Sequence, residues 1–232
     1  MPASRFSRLF ALAAFAFAAC AHAQLAPPEA DGVQRFDGVV KVYLLNEFGD
    51  VEGVIANDGT QVRFPPHMGP DLVAALKPGD AFTAQGGGVR GRSFRAYALG
   101  KTGSAQLTEG RPSAGRVPQP RDARIAALRR LDADSVVVVL LRSPRDEIDG
   151  ALLADGTIVR LPPRSEAVGA ATLRPGVRMQ ASGYGTQNAY GRCLRAEMLG
   201  LDGKTMTALQ PRGPELPPRP PATPDRPAPP AR

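Results

Sequence analysis

The sequence predicts an all-β chain: two small five-stranded barrels in tandem, each with one short helix between its third and fourth strands, followed by a disordered Pro-rich tail. Three observations carry this. "DGTQVRFPP" (58–66) returns as "DGTIVRLPP" (155–163), 97 positions later. Each copy of that motif joins two short runs rich in β-branched residues across an Asp-Gly turn, a strong hairpin signal. The agreement also extends through both halves. "FDGVVKVYLL" (36–45) matches "ADSVVVVLLR" (133–142), and "LKPG" (76–79) matches "LRPG" (173–176). "GRSFRAYALG" (91–100) matches "GRCLRAEMLG" (191–200) at an offset of 100, so copy two carries a three-residue insertion near Tyr184 to Tyr190. Insertions are tolerated in surface loops, which places this one at a hairpin end.

The elements follow in order. Strand 1 is Val-rich, from Val39 to Leu45 and from Val136 to Leu141. Strand 2 is "VEGVIAN" (51–57), and "TQVRFP" (60–65) is strand 3. A two-residue turn at Asp58-Gly59 would put Thr60, Val62 and Phe64 on one core face with Gly53 and Ile55; in copy two Thr157, Val159 and Leu161 would join Gly150 and Leu152. After Pro-Pro comes a short helix, "PDLVAALK" (70–77), opened by Pro70 and ended by Pro78-Gly79. "DAFTAQG" (80–86) and "SFRAYAL" (93–99) are strands 4 and 5. On strand 5, Phe94, Ala96 and Ala98 face inward, as do Leu194, Ala196 and Met198, leaving Arg95 and Arg195 outward.

The order β-β-β-α-β-β in roughly 65 to 70 residues resembles the OB-fold, a partly open five-stranded Greek-key barrel. The resemblance covers about 36–100 and 133–200. An SH3-like barrel is the rival, and the helix after strand 3 speaks against it. The repeats are also similar to a group of uncharacterised bacterial exported proteins with DGT-x-V-x-F-P-P-H sequences, a resemblance that implies no function.

Residues 1–23 read as a signal peptide: Arg5 and Arg8, the apolar run "LFALAAFAFAA" and the "AHA" site predict cleavage before Gln24 and a periplasmic or secreted protein. The alternative is a lipoprotein signal, "FAAC", anchored at Cys20. No later apolar run is long enough to span a bilayer, so the mature chain has no transmembrane segment. Domain one is 31–101, a Pro/Gly-rich linker is 102–122, domain two is 123–205, and 206–232 is the Pro/Arg-rich tail. From Pro211 onward ten of 22 residues are proline, too few apolar groups to offset the entropy of ordering. The net charge of +7 is spread over signal, linker, tail and second domain, so it does not describe one polyanion-binding surface.

Catalytic chemistry finds little material. After signal removal one histidine, His67, and one cysteine, Cys193, remain, in different domains. They supply neither a hydrolase triad nor a transition-metal cage, so no catalytic residue, metal or cofactor is expected. "GGGVRGR" (86–92) lacks the Lys-Ser/Thr ending of a phosphate loop and lies between strands. In OB-folds the outer face of strands 2 and 3, with the strand 1–2 and strand 4–5 loops, binds oligonucleotides or oligosaccharides. Here that face would carry Gln61, Arg63 and Arg160. The register pairs Arg63 with Glu52, and Arg160 with Asp149, as diagonal ion pairs within each hairpin. The strand 4–5 loops offer Arg90 and Arg92 in copy one, and Tyr184, Tyr190 and Arg192 in copy two, as ligand-binding candidates. The expectation is a non-enzymatic envelope-associated binding or scaffold module whose partner is an envelope protein, a peptide or a glycan. The alternative is a single-stranded nucleic-acid binder, disfavoured by the scarcity of outward aromatics and by export.

Overall fold

A computed structural model of the chain describes residues 33–90, 92–110, 119–201 and 204–209. The signal segment, most of the linker and the tail from residue 210 lie outside the described residues. The first half runs β1 (Gln34–Leu45), β2 (Val51–Ala56), β3 (Gln61–Arg63), a 3-10 turn (Pro66–Met68), α1 (Gly69–Ala75), β4 (Ala81–Arg90), β5 (Ser93–Lys101) and β6 (Leu107–Thr108). The second runs α2 (Arg121–Ala126), β7 (Arg129–Arg142), β8 (Ile148–Leu153), β9 (Thr157–Arg160), α3 (Glu166–Thr172), β10 (Arg178–Asn188), β11 (Gly191–Gly200) and β12 (Thr207–Ala208).

Each half is a closed five-stranded barrel. β1 pairs antiparallel with both β2 and β4, and β2 with β3; β4 pairs with β5. The parallel pair β3–β5, with Val62 opposite Phe94, closes the ring. In the second barrel Val159 opposite Leu194 does the same for β9 and β11. A helix follows the third strand in each barrel, as expected. Two features extend the predicted boundaries. The region read as linker supplies β6, which lies against β5, and the first two residues of α2; the chain read as the start of the tail supplies β12, which lies against β11.

Closure needs glycine where strands meet at a sharp angle. Gly53 has φ 146°, and a Cβ there would stand 2.0 Å from the Val62 carbonyl oxygen; Gly150 has φ 158° and the same clash at 2.2 Å with Val159.

The hairpin register differs from the expected one by a residue. The turn has three residues, Asn57-Asp58-Gly59, because the Ala56 amide bonds the Thr60 carbonyl at 2.8 Å and only Gly59, at φ 88°, is left-handed. Asp58 folds back to accept hydrogen bonds from the Thr60 amide and hydroxyl at 2.9 and 2.8 Å, which fixes this longer turn. Ala154-Asp155-Gly156 repeats it, with Asp155 bonded to Thr157. One residue of slip turns strand 2 over. Val54 and Ala56 therefore share the interior with Val62 and Phe64, as Ala151 and Leu153 do with Val159 and Leu161. Gly53, Ile55, Gly150 and Leu152, expected inside, lie on the outer face.

Strand 5 carries a second correction. Ladder pairing skips Tyr97 and Glu197, a bulge in each barrel. Phe94 and Ala96 face in as expected, but beyond the bulge the interior takes Leu99 and Leu199 in place of Ala98 and Met198.

Candidate functional site

Ile55 and Leu152 are buried although they leave their barrels, because the outer faces of β2–β3–β5 and β8–β9–β11 pack on each other. Leu141, Leu152, Ile158 and Cys193 of the second barrel join the apolar cluster of the first. Residues 33–209 accordingly belong to one compact unit. The contacts are reciprocal under the 97-residue offset. Arg63 Nη2 donates to the Arg142 carbonyl at 2.9 Å; Arg160 donates through Nε and Nη2 to the Leu45 carbonyl at 3.2 and 3.1 Å. Arg63 pairs with Asp149 at 2.9 Å, and Arg160 with Glu52 at 3.0 Å. A surface that meets its own equivalent in this way is the signature of a two-fold interface, here within a single chain.

The ion pairs expected inside each hairpin are therefore largely crosswise. Arg160 keeps a contact with Asp149 at 3.3 Å, but the partner of Arg63 is Asp149 of the other barrel, not Glu52. Strand 3 keeps its expected face, so both arginines leave their barrels, and because the two outer faces pack on each other the opposite barrel's carboxylate is within reach. Burial, and then the adjacent Arg160 guanidinium, pull the Arg63 pKa down, opposed by Asp149 and Glu52. Gln61, fully buried, takes the place of a strand at the seam: its carboxamide donates to the Leu140 carbonyl at 3.4 Å and accepts from the Arg142 amide at 3.1 Å. The strand 2–3 face on which OB-folds commonly bind ligands is thus covered in both copies.

Cys193, turned out of its barrel by the alternation that places Leu194 inside, enters the seam rather than solvent. It is wholly buried, its thiol near the Leu45 carbonyl at 3.5 Å, and burial pushes its pKa up to about 12. The thiolate is the reactive form. A maleimide or disulfide reagent should leave Cys193 unmodified in the native protein and modify it fully in denaturant, read by intact mass. Fast native labelling would show that the seam opens.

Ligand candidates gather at the two ends of the seam. At one end lies an open cleft of about 410 Å³, lined by Tyr43 and Leu45 of the first barrel and by Asp155, Asn188, Tyr190 and Arg192 of the second. Tyr190 stands edge-on to Tyr43, centroids 5.9 Å apart, and divides this cleft from a hollow of about 280 Å³ beside Lys77 and Pro78. Arg192 donates to the Asp132 carbonyl at 2.6 Å, which ties it to its own barrel. At the other end a single cleft of about 550 Å³ lies between Asp58 and Arg92 of the first barrel and Val138, Leu140, Arg142 and Asp146 of the second. Arg92 donates to the Asp58 carbonyl there.

The structure therefore brings Tyr190 and Arg192 to one cleft and Arg92 to the other. Tyr184 belongs to neither; it is exposed on β10, with Arg130 and Arg195 beside it on the neighbouring strands. Arg90 ends β4, and its side chain lies outside the described residues. Sequence reasoning missed Val138, Leu140, Arg142 and Asp146. For Val138 and Leu140 the signal was available: "VVVVLL", like "GALLA" and "TIV", is apolar without alternation, the mark of strands buried on both faces.

The insertion in copy two has a definite use. It lengthens the β10–β11 hairpin so that it reaches the β1–β2 loop of the first barrel. Thr186 donates to the Glu47 carbonyl and Asn188 to the Gly49 carbonyl, each at 3.0 Å. Arg195 pairs with Glu47, and Arg124 of α2 reaches Asp50 while lying 4.3 Å from the centroid of the Phe48 ring. That loop is held by the second half of the chain.

Among the described residues no three His, Cys, Asp or Glu side chains are grouped to hold a metal ion, and no helix is long and apolar enough to cross a membrane. No family model, curated protein or solved structure matches the chain.

Proposed function

We propose that the chain is a non-enzymatic binding or scaffold module of the cell envelope, exported through its N-terminal signal and cleaved before Gln24. The observation that carries the reading is the seam. It joins two OB-like barrels into one body, covers the face that would otherwise take a ligand, and leaves concave surfaces at its ends built from side chains of both copies. A rigid frame with a polar-rimmed cleft suits recognition. The materials for catalysis are poor: Cys193 is buried with a raised pKa, and His67 Nε2 lies 2.9 Å from the Gly110 carbonyl, distant in sequence from any second histidine. The partner is an envelope protein, a peptide or a glycan.

Titration of the mature protein with envelope extracts, cell-wall fragments and fluorescent oligonucleotides, at two salt concentrations, tests this. Saturable binding of an envelope component, weakened roughly tenfold or more by Arg92→Ala as for an interface hot spot, is the expected result. Binding of oligonucleotide alone, with a steep salt dependence, would replace the reading by a single-strand nucleic-acid binder. The same preparation checks export: its N-terminal mass should correspond to Gln24 or its cyclised form, and a diacylated Cys20 would place the protein on a membrane leaflet.

A further inference from the structure

The two seam ends are images of each other under the 97-residue offset, yet one is divided by a hairpin tip and the other is a single cleft. Tyr43, Leu45 and Pro78 at the first end correspond to Leu140, Arg142 and Pro175 at the second. The β1–β2 loop and its counterpart also share a backbone. Asn46 bonds Asp50 and Gly49 bonds Asn46, just as Ser143 bonds Glu147 and Asp146 bonds Ser143. Even the left-handed residue recurs, Gly49 at φ 82° and Asp146 at φ 68°. A non-glycine residue held in that conformation is strained, and such strain persists where the surroundings require the shape.

At the first end this loop receives the tip of the β10–β11 hairpin. Thr186 and Asn188 cap two of its carbonyls, and Tyr190 packs on Tyr43, dividing the space into two hollows. The β4–β5 hairpin is three residues shorter, and none of the described residues does the same for the loop Ser143–Glu147. The result is one undivided cleft of about 550 Å³, with Val138, 38% exposed, Leu140 and Pro175 as its apolar wall. We propose that this cleft is a docking site for a β-hairpin tip presented by a partner protein. The occupant carries a Thr or Ser side chain for the Pro144 carbonyl, an Asn two residues on that shares the Asp146 carbonyl with Arg142, and an aromatic residue for the Val138–Leu140–Pro175 wall. The second barrel's own hairpin, seated at the opposite end, is the template for that ligand. The rim balances Arg92 and Arg142 against Asp58 and Asp146, with Arg142 paired to Asp146 at 3.3 Å, so it suits a polar, uncharged hairpin tip such as the second barrel's own. The inference rests on the seam-end reading above and narrows its partner to polypeptide.

The test uses the full mature chain and a cyclised peptide with the sequence of Gly185 to Arg192, fluorescently labelled. Anisotropy should report saturable binding. Replacing Thr186, Asn188 and Tyr190 of the peptide by alanine should weaken it at least tenfold, a change that leaves the protein untouched. Val138→Glu on the protein should do the same, since this side chain is exposed and its replacement leaves both barrel interiors intact. No binding of the cyclic peptide, or equal binding by Val138→Glu or by the triple-alanine peptide, would overturn the inference. In that event a cell-wall fragment whose binding is lost in Val138→Glu would leave the seam-end reading standing with a glycan as occupant. If no envelope component responds to Val138→Glu or Arg92→Ala, that reading falls as well.

Discussion

A chain cut in its linker should remain one particle. With a protease site placed within 111–118, the cleaved halves are expected to co-elute at micromolar concentration and to part only in denaturant. The seam is the reason. Leu44 and Ile55 on one side, and Leu141, Leu152 and Ile158 on the other, are at most 1% exposed. At about 1.5–3 kcal/mol per buried aliphatic side chain, these five contribute on the order of 10 kcal/mol before association costs. That figure is comparable with the roughly 4–15 kcal/mol of lost translational and rotational freedom. The balance is tipped by the crosswise arginine contacts, the Gln61 bonds and the hairpin that grips the β1–β2 loop of the first barrel. Separated halves would present an apolar, charge-bearing face to water and should aggregate or recombine when mixed. Two separate particles after cleavage, each with its own cooperative thermal transition, would show the barrels to be independent modules and the seam to be incidental.

How much of this was legible in the sequence depends on which residues set each feature. The barrels were legible because "DGT-x-V-R" and the helix after Pro-Pro are local signals, and the repeat supplied each of them twice. The seam was hidden by one turn. Asp-Gly permits either a two-residue loop or a three-residue one, and the choice rests on whether Asp58 accepts from the Thr60 amide, a bond that composition does not announce. Reading the shorter loop placed Ile55 and Leu152 inside and made the outer face look polar. With the longer loop the outer face of copy two becomes Leu152, Ile158 and Cys193, too apolar for solvent, and a partner surface is implied. The ligand candidates were found for a sound reason, as loop residues that differ between copies. What could not be read is that one loop difference serves the fold: the insertion at Thr186 to Tyr190 binds the other barrel, and so exposes by contrast the cleft at Val138. Asp146 gave no sequence signal, since its left-handed backbone becomes visible only beside Gly49.

The largest effect of a single substitution is expected at Arg160. Its side chain is 9% exposed, donates twice to the Leu45 carbonyl and contacts both Glu52 and Asp149. Arg160→Ala would leave Glu52 without its cation and the Leu45 carbonyl without its arginine donors inside the seam. Removing one partner of a buried pair costs about 3–5 kcal/mol, more than the pair itself contributes, because the remaining charge stays desolvated. Arg63→Ala should cost less, about 1–3 kcal/mol. Arg63 is more exposed, at 21%, and Asp149 would retain Arg160. Chemical denaturation of the two variants should therefore rank Arg160→Ala well below Arg63→Ala in midpoint, with both below the parent. Double-mutant cycles locate the pairing. Coupling should be strongest for Arg160 with Glu52 and for Arg63 with Asp149, residues 108 and 86 apart in sequence, and smaller for Arg63 with Glu52. If the coupling instead ran within each hairpin, with Arg160→Ala no more damaging than a surface substitution, the arginines would be ordinary sheet-face ion pairs and the barrels would not be joined through them.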